Sequence, residues 1–591
     1  MNNSNHSDMN KLKYIAMLAS AALLASCDFL DPETDNSRNE GILDETAYFC
    51  GLLNGSYADL PTLFDYSMDI MTDNAVRRNF SGDYYHTSLG NLSPANNPLD
   101  NYNQCYSNIR NLNIFLSKMV LDSTKTWLTP VRFFVFDSED DIENNLKMFW
   151  RLKGEALALR AYWQSELLRN FGGKAVNGRA LGFPLVGDRV LYPGKDDLRI
   201  PRATYEECVE SIIADCDSAL LYLPDLYGKP NATDPVFGSA MRERFSGAAV
   251  KALKARVLLY AASPANNLDN DSGKWERAAV AAGEAIKAAG GIKAAFSTRD
   301  EYYFTQLSNT DWKNYDVLLR GKVQTGNSSF ESSNYPSQLY GSAIVNVSQN
   351  YVDAFTDKLG YPIAESTLYD PANPYAERDA RFGLFVGYDG CSYGSYVINV
   401  REGGAESYNP VTQGSRSGYY LKKGLRVGTV NLDPANSKKT PRANIILGLP
   451  ELLLNFAEAA NKAWGPAGDP KGFKFTATDA LKRILVRDNP KGDTYLVNEI
   501  GSDAEKFDEY VKNQRRIELS FEGHYYYDLR RWYANDIDWG AKINNDVFGV
   551  RISAEGEYSY IKLETRSFKS PYQPISYSEV MNAGLMQNWG W

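Results

Sequence analysis

Two alanine-rich stretches constrain the fold of this chain more than any other feature: SGAAVKALKARVLLYAA over Ser246–Ala262 and KWERAAVAAGEAIKAA over Lys274–Ala289. Alanine is the strongest helix former, so both stretches read as helices. Their small side chains give each helix little apolar area of its own, and most helical stability in proteins comes from tertiary packing. Such helices must therefore lie close against neighbours along faces of small residues. The turn-rich loop Ser263–Gly273 joins them into a helical hairpin.

The same reading extends along the chain. Over Trp150–Asn170, Leu152, Ala156, Leu159, Trp163 and Leu167 recur at helical spacing, and Gly172-Gly173 stops the run. Thr204 is a predicted N-cap with Glu207 three residues on, a capping box that opens a helix ending before Pro224. Further helices are predicted over Leu449–Ala463, over Thr478–Asp488 and from Ala504 through Glu518. Long irregular stretches rich in Gly, Ser, Asn, Pro and Tyr lie between them, Phe296–Val345 and Tyr361–Pro441, with a β-like run at Tyr396–Val400. Connections of this length usually carry function. The predicted fold class is mainly α: degenerate tetratricopeptide-like helical pairs forming a scaffold, with long irregular loops and a few short β-strands. The expected division is residues 1–26 as leader, 27–44 as tether, 45–295 as helical scaffold, 296–445 as loop-rich insert and 446–591 as C-terminal helices and tail, all of 27–591 forming one domain.

Composition narrows the function. The net charge is −10 and no long basic run exists, which argues against a nucleic-acid partner. Only 3 His stand beside 39 Tyr, 26 Phe and 10 Trp, so multi-His metal sites are disfavoured and stacking surfaces favoured. No Walker A motif, G-x-S-x-G elbow, H-E-x-x-H or Rossmann fingerprint occurs, and no cofactor is expected. Asn267–Gly273 imitates a calcium loop with Gly one position late, and reads better as a helix–helix connection. Cys208 and Cys216, on one predicted helix, lie about 12 Å apart, too far for a disulfide. A Cys50–Cys105 bridge stays open.

The segment MNKLKYIAMLASAALLASC, Met9–Cys27, has a positive start and an apolar stretch too short to span a bilayer as a mature helix. Leu24-Ala25-Ser26-Cys27 resembles a bacterial lipobox, which implies lipidation at Cys27, with the polar stretch that follows as a tether to an outer-membrane lipid anchor.

An ordered set of segments resembles the SusD/RagB family of nutrient-binding outer-membrane lipoproteins of Bacteroidetes. It comprises Cys27–Asp31, Gly154–Tyr162 with Phe171-Gly172-Gly173 and Phe183–Val186, Pro201–Thr204 with Asp215–Ala219, Ala248–Tyr260 with Ser263-Pro264, Ala457–Ala459, and Arg515–Leu519 with Phe521–His524 and Asp528–Trp532. Gln514 and Tyr525 depart from the Glu and Arg of that pattern. The resemblance implies a cell-surface, non-catalytic protein that captures a glycan or peptide, the glycan being the leading reading, and hands it to a SusC-like TonB-dependent transporter. It places ligand contacts in two regions, after the first helices and in the irregular insert. Here these offer Asp73, Arg77, Arg78, Tyr84, Tyr85 and Tyr102, then Tyr302, Tyr303, Trp312, Tyr315, Tyr335 and Tyr340; the chosen ligand-binding set is Asp73, Arg78, Tyr84, Tyr85, Trp312, Tyr315, Tyr335 and Tyr340. Aromatic faces stack on sugar rings, and nearby polar groups bind hydroxyls. Arg515, Arg516, Glu518, Glu522, Asp528, Arg530 and Arg531 read as a scaffold ion network, with His524 inside it. Three alternatives stay open: a peptide-binding relative, a secreted glycoside hydrolase using paired carboxylates, and a helical scaffold whose sole ligand is the transporter.

Overall fold

The structure, a computed structural model, describes residues 46–591 apart from 63–64, 122–127, 130–141, 193, 229–233, 300–301, 304–315 and 410–413. Leader, tether and Cys27 lie outside the described residues. The long helices are α1 Thr46–Ala58, α2 Tyr102–Lys118, α3 Ile142–Phe171, α4 Tyr205–Leu220, α5 Gly247–Ala262, α6 Gly273–Ala288, α7 Leu449–Trp464, α8 Ala477–Leu485, α9 Ala504–Glu518, α10 Tyr525–Tyr533 and α11 Tyr577–Ala583. From α2 through α6 each packs on the next in chain order, and α6 then packs on α7 across the whole intervening insert. Helical pairs therefore form one continuous array, and the chain is mainly α with short strands, as the pattern predicts.

The alanine-rich hairpin explains that continuity. α5 is buried around nearly its whole circumference, which a surface helix never is. Its N-cap is Ser246, whose hydroxyl accepts from the Ala249 amide at 3.2 Å. On α6, Gly283 faces Phe473, and a Cβ there would stand 2.6 Å from the ring. Gly283→Val is expected to force that ring aside and destabilise the protein by about 1–3 kcal/mol, read by denaturant titration; unchanged stability would mean that the 465–475 loop can give way.

Thr204 makes the predicted capping box with Glu207. Other boundaries need correction. α3 begins at Ile142, eight residues before the predicted start at Trp150, because its polar first turns carry no clear apolar period. α8 begins after Thr476, which makes its own capping box with Asp479. The Tyr396–Val400 run contributes a strand of Tyr396–Val397 alone, paired with Ser392–Tyr393. Cys50, Cys105, Cys208, Cys216 and Cys391 are all free thiols, so Cys50 and Cys105 form no bridge.

The insert builds a second, aromatic core from Phe330, Tyr351, Phe355, Phe382, Tyr393 and Tyr420 with their neighbours. It is closed by strands from both ends of the chain. β1 Ala75–Arg77 pairs antiparallel with β2 Val345–Val347, and the hairpin of β3 Asp546–Ile552 with β4 Tyr558–Thr565 contributes Val550 and Ile552.

Buried ion pairs join this core to the helical array. Arg299 grips Glu518 at 2.6 and 2.8 Å, and Lys423 reaches Glu522 at 2.7 Å. Gln514 takes the place of an acid by accepting from Arg381. Within the array, Arg256 holds Glu451, Arg515 holds Asp528 at 2.7 Å, and Arg531 holds both Glu458 and Asp528. His524 sits half-buried among these groups, and desolvation drives its pKa well below the ordinary value, so it stays neutral.

Candidate ligand-binding site

The β1–β2 ladder brings the two predicted regions together. Arg77 pairs with Val345, and beyond that register the Arg78 amide donates to the Ile344 carbonyl at 2.9 Å. The loop after β1, carrying Arg78 to Tyr85, and the loop before β2, carrying Tyr335 to Ala343, thus emerge at one end of one ladder. Gly82 turns the first loop with φ +94°, a conformation that favours glycine, and the Arg77 guanidinium packs against its open side.

Phe80, absent from the predicted set, is the most prominent ring of this loop at 60% exposure. The Arg416 guanidinium lies 4.5 Å from its centroid, and the Tyr85 ring meets it edge-on at 6.0 Å. Arg416 is itself buried and pinned by Glu564 at 2.7 Å, the Arg77 carbonyl at 3.1 Å and the Leu563 carbonyl at 3.3 Å. One ring face rests on a fixed cation while most of the ring stays in solvent, a geometry that suits stacking without prior rearrangement. Next to it, Arg551 donates to the Arg416 carbonyl at 3.0 Å and lies 5.2 Å from the Tyr408 centroid. A second aromatic–guanidinium pair therefore continues the surface.

Tyr340 supplies the other exposed ring, at 61%. It caps a short turn with φ +61°, and the following Gly341 lies so close to the Tyr335 carbonyl that a Cβ would stand 2.1 Å from it. The turn is anchored beneath by Glu406. This fully buried carboxylate accepts from the Tyr396 hydroxyl at 3.3 Å, from Tyr420 and from the Gln338 amide. Burial raises its pKa, and those hydrogen bonds with the nearby Arg78 charge oppose the rise.

The structure places the predicted set in three groups. Arg78 and Tyr340 reach the surface described here, with Tyr85 supporting Phe80 and Tyr84 donating to Asp65 below it. Asp73, Tyr85 and Tyr335 require correction, since all three are buried. Asp73 is paired with Arg516 at 3.1 Å, and Tyr335, 4% exposed, donates to the Arg426 carbonyl at 2.9 Å. Tyr102, Tyr302 and Tyr303 are buried as well. Trp312 and Tyr315 lie outside the described residues. Among the described residues, no group of three or more His, Cys, Asp or Glu is arranged to hold a metal ion, and no helix is long and apolar enough to cross a membrane.

Comparison with known proteins gives this surface a context. A family model described as the SusD family matches residues 301–591, and a second, described as starch-binding associating with outer membrane, matches residues 28–259. No curated protein sequence matches. A SusD-like protein from Bacteroides fragilis NCTC 9343 shares 21% identity and superposes with a TM-score of 0.67, over 94% of this chain and 99% of its own. A SusD-like carbohydrate binding protein from the same organism gives 18% and 0.67, over 92% and 99%. A structure described as a laminarin binding SusD-like protein gives 16% and 0.54, over 93% and 100%.

Proposed function

Because the chain belongs to the SusD/RagB family, we propose that it captures a glycan at the outer-membrane surface without transforming it, and passes it to a SusC-like TonB-dependent transporter. A lipid on Cys27 tethers it there. The observation that carries the reading is the Phe80 ring, held on the buried Arg416 guanidinium and otherwise open to solvent. Phe80, Tyr408 and Tyr340 take the C–H faces of sugar rings, and Arg78, Asn79 and His86 bind hydroxyls around them. The description of one matching family as starch-binding and of one relative as laminarin-binding makes a glucan the first ligand class to try.

The local chemistry supports binding over hydrolysis. Glycoside hydrolysis needs two carboxylates facing the scissile bond. The carboxylate central to this surface, Glu406, is sealed beneath it and saturated by phenol and amide donors.

Calorimetry against starch, laminarin, other polysaccharides and oligopeptides tests the ligand class, with product analysis on the same mixtures. Glycan binding without product is the expected result. Oligopeptide binding alone, or released sugar, would replace this reading. Co-purification of a TonB-dependent transporter tests the delivery step.

A further inference from the structure

A cavity of about 530 Å³ opens elsewhere on the molecule, between α2, the 184–200 segment and α11. It shares no residue with the Phe80 surface. Its volume falls in the range of small-ligand pockets. Its walls are largely aliphatic, with Ile109, Val186, Leu191, Leu198 and Ile200 facing the space. Leu198 keeps 44% of its surface in solvent, an apolar cost that nothing in the free protein offsets.

Three charges border this apolar space without opposite charges of their own among the described residues. At one end is Glu579 on α11, close enough to Tyr102 to raise that phenol's pKa. Burial raises the Glu579 pKa, and the negative charge of Asp100 raises it further. At the other end is Arg110, two helical turns and about 12 Å further along α2. Its Nε donates to the Leu191 carbonyl at 2.9 Å, and its guanidinium lies 4.8 Å from the Tyr192 centroid. Arg189 stands with it on the 184–200 segment and donates to the Val186 carbonyl at 3.0 Å and the Leu185 carbonyl at 3.1 Å. Both guanidiniums are oriented by neutral carbonyls. The Tyr106 hydroxyl is spent on the Pro184 carbonyl at 2.7 Å, which leaves Asn103 and Ser107 as neutral polar side chains on the α2 wall.

We propose that this cavity is a second binding site, for an elongated molecule with an apolar body, an ammonium at the Glu579 end and a carboxylate at the Arg110–Arg189 end. The aliphatic walls bury the body, the fork of a guanidinium suits a carboxylate, and an ammonium relieves the juxtaposed acids. Two kinds of molecule carry this chemistry at the required length, a long-chain ω-amino acid and a free-ended apolar tripeptide of about 10 Å.

Calorimetry on the purified protein uses ω-aminodecanoic acid and trileucine as two-headed probes, with decanoic acid and decylamine as one-headed controls. At least one two-headed probe is expected to bind, at least about tenfold more tightly than either control; which of the two binds identifies the source. Glu579→Gln is expected to weaken that probe about tenfold while leaving decanoic acid unaffected. Arg110→Met is expected to weaken it while leaving decylamine unaffected. Phe80→Ala, on the other surface, should change none of these values, so the outcome is independent of glycan binding. The proposal is overturned if neither two-headed probe binds, if the controls bind equally well, or if both charge variants, shown folded by circular dichroism, bind like the parent.

Discussion

Phe80→Ala is expected to weaken glycan binding by about tenfold to a hundredfold, about 1.4–2.8 kcal/mol, while leaving the fold intact. The ring is 60% exposed, so its removal opens no cavity in the core. Arg416 beneath it keeps its partners Glu564, the Arg77 carbonyl and the Leu563 carbonyl, so the variant leaves no unpaired buried charge. What disappears is the stacking face that the Arg416 cation polarises. Tyr340→Ala is expected to act in the same direction from the opposite loop. Isothermal titration with the glycan identified in the panel checks both. If Phe80→Ala binds like the parent, the recognition surface is elsewhere, and the 304–315 segment with Trp312 becomes the place to look.

How far this surface can be read from sequence depends on the residue. The helices declare themselves by caps and small-residue faces: Thr204 with Glu207, Ser246, and an α5 buried on almost every side. α2 is harder to see, because Asn and Ser interrupt the apolar stripe of YNQCYSNIRNLNIFLSK, and several of those polar groups are spent on tertiary partners, Asn113 for instance on the Gly187 and Arg189 carbonyls at 2.8 Å. The tyrosines show why composition alone stops short. Tyr335 and Tyr340 stand five residues apart in one polar loop, yet one is 4% exposed and the other 61%. Their difference arises from a left-handed backbone at Tyr340 and from partners near Arg426, Val430 and Tyr393, all distant in sequence. Phe80 did carry a local signal, a single large apolar ring within Arg77-Arg78-Asn79-Phe80-Ser81-Gly82, flanked by polar residues and a turn glycine. An isolated apolar ring in such a setting has no helix or strand face to join.

The largest effect on stability is expected from Arg531→Met, a loss of about 3–5 kcal/mol near neutral pH. Arg531 donates to Glu458 at 2.5 and 2.6 Å and to Asp528 at 2.8 Å, and all three side chains are almost fully buried. Methionine fills much of the volume but abandons Glu458, which keeps only the Trp532 indole at 2.8 Å and the more distant Arg515 charge. The pH dependence separates charge from packing. In the parent, Arg531 outweighs burial and holds the Glu458 pKa down to about 2, as Arg256 does for Glu451. Depressed carboxylates contribute stability that is present above their unfolded pKa, near 4.5, and lost as pH falls through about 2. Without Arg531, burial prevails and the folded pKa of Glu458 rises above its unfolded value. Protonation then favours the folded variant, so the deficit relative to the parent should narrow between pH 7 and pH 4 in urea titrations. Glu458→Gln added to Arg531→Met should recover part of the loss at pH 7 and little at pH 4. A deficit that stays constant over this range would assign the cost to lost packing of the guanidinium over Tyr260 and Trp532, at 5.4 and 4.8 Å, instead of to the stranded carboxylate.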